Sequence, residues 1–100
     1  MAYIGKVKVS DTWTKLEDLI KAQIDGQSSF AFSSGSTYSL QTDGDNVSFI
    51  RVCNATSTPA ESYDGECLDR HICGLYKPDT AYLYVRKEGH PVYLSVSENA

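Results

Sequence analysis

AYLYVRKEGHPVYLSVS, residues 81 to 97, decides the fold class of this chain. In its first half Leu83 and Val85 alternate with Tyr82, Tyr84 and Arg86, and in its second half Val92, Leu94 and Val96 share one face. A period of two sends successive side chains to opposite faces of an extended chain, so each half reads as a strand with an apolar side. Glu88, Gly89, His90 and Pro91 between them carry turn chemistry, and the chain turns there.

The same grammar extends upstream. TYSLQT, residues 37 to 42, alternates, and Asp43-Gly44-Asp45-Asn46 reads as a hairpin turn into VSFIRVC, residues 47 to 53. Phe30-Ala31-Phe32 is a short apolar strand-like run broken by Ser33-Ser34-Gly35-Ser36. NATSTPAESYDGE, residues 54 to 66, has no periodicity and reads as the longest loop, and RHICGLY, residues 70 to 76, reads as a strand bulged at Gly74. Near the N-terminus YIGKVKV, residues 3 to 9, sets Ile4, Val7 and Val9 against Lys6 and Lys8. Residues 1 to 10 are therefore expected to form an edge strand or an extended arm, with lysines discouraging edge pairing.

One segment has a different period. Trp13, Leu16, Ile20 and Ile24 recur at spacings of three and four, which predicts an amphipathic helix. Ser10 or Asp11 would cap its start, and Asp25-Gly26 would close it. The whole is expected to be mainly β: a small antiparallel β-sandwich or barrel with one N-terminal amphipathic helix, residues 1 to 100 forming a single domain.

Composition narrows the function. Nine Lys and Arg against 13 Asp and Glu give a net charge of −4, which disfavours nucleic acid and anionic membranes as partners. Hydrophobic residues make up 41% of the chain, enough to exclude a disordered tail. No stretch is long and apolar enough to span a bilayer, and MAYIGKVKVSDTW lacks the apolar centre of a secretory signal, so synthesis in a cytoplasm is expected. There is no phosphate-cradling glycine loop, no metalloprotease motif and no nucleophile elbow, which argues against an enzyme and against a cofactor.

The cysteines and tyrosines carry what chemistry there is. In ECLDRHICG, residues 66 to 74, Cys67 and Cys73 flank His71, and Cys53 lies on the preceding strand. The C-x3-H-x-C spacing is not a common zinc pattern, so no metal is expected. A bridge from Cys53 to Cys67 would clamp the base of the long loop, although three cysteines in a reducing compartment fit a disulfide framework poorly. A Cys/His nucleophile would need a lowered thiol pKa and an oxyanion hole, for which nothing speaks, so cysteine as a small core filler is the plainest reading.

Seven tyrosines stand out in a chain of 100 residues. Tyr82, Tyr84 and Arg86 share one strand face, and Tyr93 would lie beside them on the next strand, making an exposed aromatic row suited to a protein partner. The segment from Tyr3 to Val9, with Lys6 and Lys8, is a second candidate contact because an extended chain can add a strand to a neighbour's sheet. A sugar site would need aromatics interleaved with Asp, Asn or Gln, which only the 37 to 46 hairpin and the 54 to 66 loop offer.

The order DTWTKLEDLI, TYSLQ, VCNATSTPAESYDGE and YKPDTAYLYVRKEGHPVYLSVSE resembles small accessory virion structural proteins of tailed bacteriophages. The resemblance implies a β-rich module made in the host cytoplasm and assembled onto the virion as a head decoration, cement or fibre-base subunit. It further implies other capsid or tail proteins as partners and a homo-oligomer, often a trimer. Two rival functions are a carbohydrate or host cell-surface binding module and a small phage-encoded inhibitor of a host defence system.

Overall fold

The computed structural model describes residues 2–33, 35–44, 47–61, 65–68, 74–76 and 82–99. In chain order its elements are β1 (Ala2–Lys8), β2 (Thr14–Lys15), α1 (Leu16–Gln23), β3 (Thr37–Thr42), β4 (Phe49–Ala55), β5 (Glu66–Leu68), β6 (Gly74–Tyr76), β7 (Tyr82–Glu88) and β8 (Tyr93–Asn99). The strands form two antiparallel four-stranded sheets. Sheet 1 runs β1-β8-β3-β6 and sheet 2 runs β2-β7-β4-β5, so the protein is mainly β with one helix.

Side-chain alternation accounts for the strands. Leu83 and Val85 on β7, Leu94 and Val96 on β8, Leu40 on β3 and Ile50 and Val52 on β4 are all buried. With Val7, Leu16, Ile20, Tyr38 and Leu68 they form one hydrophobic cluster fed by both sheets and by the helix. Each such aliphatic side chain contributes about 1.5–3 kcal/mol of transfer free energy, which makes this cluster the main cohesive term. At one end Phe30 and Phe32 stack edge-on, and Phe32 stacks edge-on against Tyr38, with ring centroids 5.0 and 4.7 Å apart. Residues 30–32 therefore cover the core with rings and form no strand, contrary to the expectation from their apolar run.

The pairings differ from those local turns would give. Among the described residues β4 and β5 are the one chain-consecutive pair that hydrogen-bonds. The expected hairpin across residues 43–46 is not formed: β3 pairs with β8 and β6 in sheet 1, and β4 pairs with β7 and β5 in sheet 2. What the Asp43-Gly44 corner does instead is lock onto β8. The Thr42 hydroxyl donates to the Tyr93 carbonyl, the Tyr93 N–H donates to Asp43 Oδ1, and the Gly44 N–H donates to Thr42 Oγ1. The turn chemistry is real, but it carries the chain from one sheet to the other.

The helix is shorter at its start than its period suggested. Thr14 and Lys15 pair with Val85 and Tyr84, which takes Trp13 out of the helix, and the N-cap is Lys15 rather than Ser10 or Asp11. Ser10 Oγ instead lies 3.1 Å from Thr14 Oγ1 and donates to the Thr12 carbonyl, a local side-chain turn of the kind that competes with helix. Lys15 makes no side-chain cap, so Glu17 and Asp18 in the first turn are what complement the helix dipole. The end falls where Asp25-Gly26 placed it, with Ile24 N–H closing on Ile20 O and Gly26 at φ +81°.

The N-terminal segment is an edge strand and not a free arm. β1 pairs with β8 along its length, with a register shift between Tyr3 and Gly5, and it forms one edge of sheet 1. Its open side at Lys8 is filled by Gln23, whose side-chain amide bonds both backbone groups of Lys8. Further along, β5 occupies Glu66–Leu68, its first residue expected to end the long loop, and β6 occupies Gly74–Tyr76. Residues 70–73, including His71 and Cys73, lie outside the described residues.

Candidate binding faces

Each sheet has a side turned away from the core, and strand alternation decides which residues stand there. On sheet 2, Leu83 and Val85 point inward, so Tyr82, Tyr84, Arg86 and Glu88 stand outward on β7. Ile50 and Val52 point inward on β4, so Phe49, Arg51, Cys53 and Ala55 stand outward beside them. Register places Lys15 opposite Tyr84, Arg86 opposite Arg51, and Arg51 opposite Cys67. The outer face of sheet 2 is thus a field of aromatic and guanidinium groups.

Contacts within that field are specific. Lys15 Nζ sits 3.9 Å from the Tyr82 ring centroid, and the Tyr82 and Tyr84 rings meet edge-on at 6.4 Å. Arg86 pairs with Glu88 and donates through Nη2 to the Asp11 carbonyl, while the Arg51 guanidinium lies 5.5 Å from the Phe49 ring. Two arginines directly opposite on neighbouring strands repel, and Glu88 and the Phe49 ring face offset that repulsion. The indole N–H of Trp13, next to the β2 edge, donates to the Glu61 carbonyl in the loop after β4. β5 lies at the other edge of the sheet, so the described residues 56–61 reach back across the sheet to Trp13.

The expected aromatic row is therefore split. Tyr82 is 46% exposed and available to a partner, but Tyr84 is only 5% exposed and belongs to the packed structure. Tyr93 is not beside them: β8 lies in sheet 1 and β7 in sheet 2, so its 41%-exposed ring is on a different face. There it is joined by Tyr3, Lys6 and Lys8, because Tyr3 pairs with Ser97, Lys6 with Ser95 and Lys8 with Tyr93. Gln41, opposite Ser95 on β3, completes the strip, and Lys6 Nζ lies 5.6 Å from the Tyr93 centroid.

So the seven proposed contact residues fall into two sets of different chemistry. The sheet 2 set adds Lys15, Phe49 and Arg51, and the sheet 1 set adds Gln41 and Ser95, none of which the sequence had singled out. Alternation about Ile50 and Val52 was the signal for Phe49 and Arg51.

No disulfide joins Cys53 and Cys67, which share the outer face of sheet 2. With Cys67 opposite Arg51, Cys53 is its diagonal neighbour across β4 and β5, a relation that sets Cα atoms roughly 7–8 Å apart. Cys53 is half-buried and Cys67 exposed, so the cysteine nearer to a core filler is Cys53. Among the described residues no group of three or more His, Cys, Asp or Glu side chains could hold a metal ion. Among them, too, no helix is long and apolar enough to cross a membrane. In comparisons with known proteins, no family model, no curated protein and no solved structure matches this chain.

Proposed function

We propose that this chain is a non-enzymatic bacteriophage virion structural protein, a capsid decoration or fibre-base subunit that assembles through the outer face of sheet 2. The partners are other capsid or tail proteins and further copies of itself, with a trimer as the favoured assembly. The observation that carries the reading is the composition of that face: exposed Tyr82 at one end of β7, with Arg86 and Arg51 opposite each other four residues along and Phe49 beyond them. Aromatic residues and arginine are the types enriched at the centres of protein interfaces, where they supply most of the binding energy.

Strand order supports the same reading by analogy. Sheets ordered 1-8-3-6 and 2-7-4-5 are those of an eight-stranded jelly roll, in which the two sheets close face to face as a sandwich. On this reading α1 is amphipathic, its Leu16 and Ile20 side facing the core. Viral capsid proteins use this architecture and so do lectins, so the fold alone does not choose between them. The face chemistry is what favours assembly.

Two measurements test the proposal. Light scattering at tens of micromolar is expected to give a multiple of the 11.0 kDa chain mass, falling to one chain on Tyr82→Asp. Mass spectrometry of purified particles is expected to find the chain in stoichiometric copies. A monomeric wild-type protein that is absent from particles would sink the reading, and particle absence with inhibition of a host enzyme would favour the defence-inhibitor function.

A further inference from the structure

The outer face of sheet 1 has a composition that protein interfaces avoid. Lys6 and Lys8 are exposed on β1, Ser95 lies on β8 and Gln41 is exposed on β3, with the exposed rings of Tyr3 and Tyr93 among them. Lysine and serine are depleted at interface centres, so this strip is a poor seat for a second protein. It is a good seat for a sugar. An exposed tyrosine ring offers an apolar platform for the C–H face of a pyranose, and hydroxyl and amide groups beside it can both donate to and accept from sugar hydroxyls.

The lysines add a charge preference. Lys6 Nζ lies 5.6 Å from the Tyr93 ring centroid, and Lys8 is the register partner of Tyr93, so two ammonium-bearing side chains flank one ring. Carboxylates lie only at the margins of the described face: Asp43, just past β3, accepts from the Tyr93 N–H, and Glu98 lies opposite buried Tyr38 and accepts from its hydroxyl. With Lys6 and Lys8 against Asp43, the described face keeps a net positive charge in a chain of net charge −4. Tyr3 pairs with Ser97, four residues along β8 from Tyr93, which separates the two rings by roughly 14 Å along the strand. A strip of that length, with the Ser95 and Ser97 hydroxyls between two rings, fits a linear chain of sugars.

We propose that the outer face of sheet 1 binds a linear acidic oligosaccharide, with Tyr93 and Tyr3 stacking on sugar rings and Lys6 and Lys8 pairing with uronate carboxylates. This site is on a different sheet from the assembly face, so it stands or falls independently of that reading. The test is a titration of the full chain with an oligogalacturonide, followed by backbone amide shifts in NMR. Saturable shifts confined to β1, β8 and β3 are expected, and Tyr93→Ala is expected to weaken binding about tenfold or more.

Because the Tyr93 backbone anchors Thr42 and Asp43, a second variant guards against misfolding. Lys6→Glu/Lys8→Glu changes only exposed side chains, and it is expected to abolish the shifts while the melting temperature stays within error. Three results would overturn the proposal: no saturable shifts, equal binding of a neutral malto-oligosaccharide, or equal binding of a short polyglutamate. The second removes the role of charge, and the third leaves only nonspecific attraction.

Discussion

Gln23 holds Lys8 by both of its backbone groups: the Lys8 N–H donates to Gln23 Oε1 and Gln23 Nε2 donates to the Lys8 carbonyl, each at 2.8 Å. A side-chain amide has the same donor and acceptor pair as a peptide, so Gln23 stands where the backbone of another strand would stand. It also ties the last residue of α1 to the edge of sheet 1. Exposed strand edges invite pairing with other chains, and here part of the edge is closed from within.

Removing that clasp has a readable cost. Gln23→Ala loses two hydrogen bonds that each contribute about 0.5–1.5 kcal/mol net. For a domain of this size each kcal/mol lowers the melting temperature by roughly 4–8 °C. Gln23→Glu keeps the acceptor and sets a carboxylate oxygen against the Lys8 carbonyl, so its melting temperature is expected to fall at least as far. Thermal denaturation followed by circular dichroism checks both, and an unchanged Gln23→Ala melt would show the clasp to be energetically idle.

Two glycines separate backbone conformation from crowding. Gly26 and Gly65 have nearly the same φ, +81° and +80°, but a Cβ on Gly26 would meet nothing within 4 Å, whereas one on Gly65 would collide with the Val52 carbonyl oxygen. Alanine at Gly26 therefore carries only the left-handed backbone cost, about 1–2 kcal/mol. Gly65→Ala adds a collision with the backbone of a core strand, for a total above about 2 kcal/mol. Urea denaturation of the two variants is expected to rank them in that order.

How far the sequence could be read depended on what a period can encode. Alternation correctly sent Leu83, Val85, Leu94 and Val96 to the core, because the facing of a side chain is a local property of an extended backbone. It could not say that β7 would pair with β4 and β8 with β3, since several strands present equivalent apolar faces. That is why Tyr82 and Tyr93 were expected side by side and lie on different sheets. Trp13 was assigned to the helix for a related reason: its spacing from Leu16 suits a helical turn, yet the intervening Thr14 and Lys15 are claimed by β7. The Gln23 clasp left no trace at all in the pattern, because it joins residues 15 apart through one polar side chain.

Tyr82 and Tyr84 point to the same side of β7 but have different weights. Tyr84, 5% exposed between Lys15 and Cys53, is expected to cost about 3–5 kcal/mol when cut to alanine, as buried aromatics do. Tyr82→Ala removes a half-exposed ring and its contact with Lys15, worth about 1 kcal/mol or less. Denaturant titration at a dilution where the chain is monomeric should show this contrast. Equal losses would mean that the ring of Tyr82 is as deeply packed as its neighbour.

The cysteines make the last prediction. Disulfides need Cα atoms about 4.4–6.8 Å apart, and the diagonal relation of Cys53 to Cys67 exceeds that unless β5 shifts against β4. The native protein is therefore expected to keep both as thiols. Under native conditions iodoacetamide should modify exposed Cys67 before half-buried Cys53, and unfolding should make the two react alike. Peptide mapping without reduction reads the outcome directly. A peptide linking Cys53 to Cys67 after mild oxidation would show that β5 does shift against β4, closing the base of the segment whose Glu61 carbonyl accepts from Trp13.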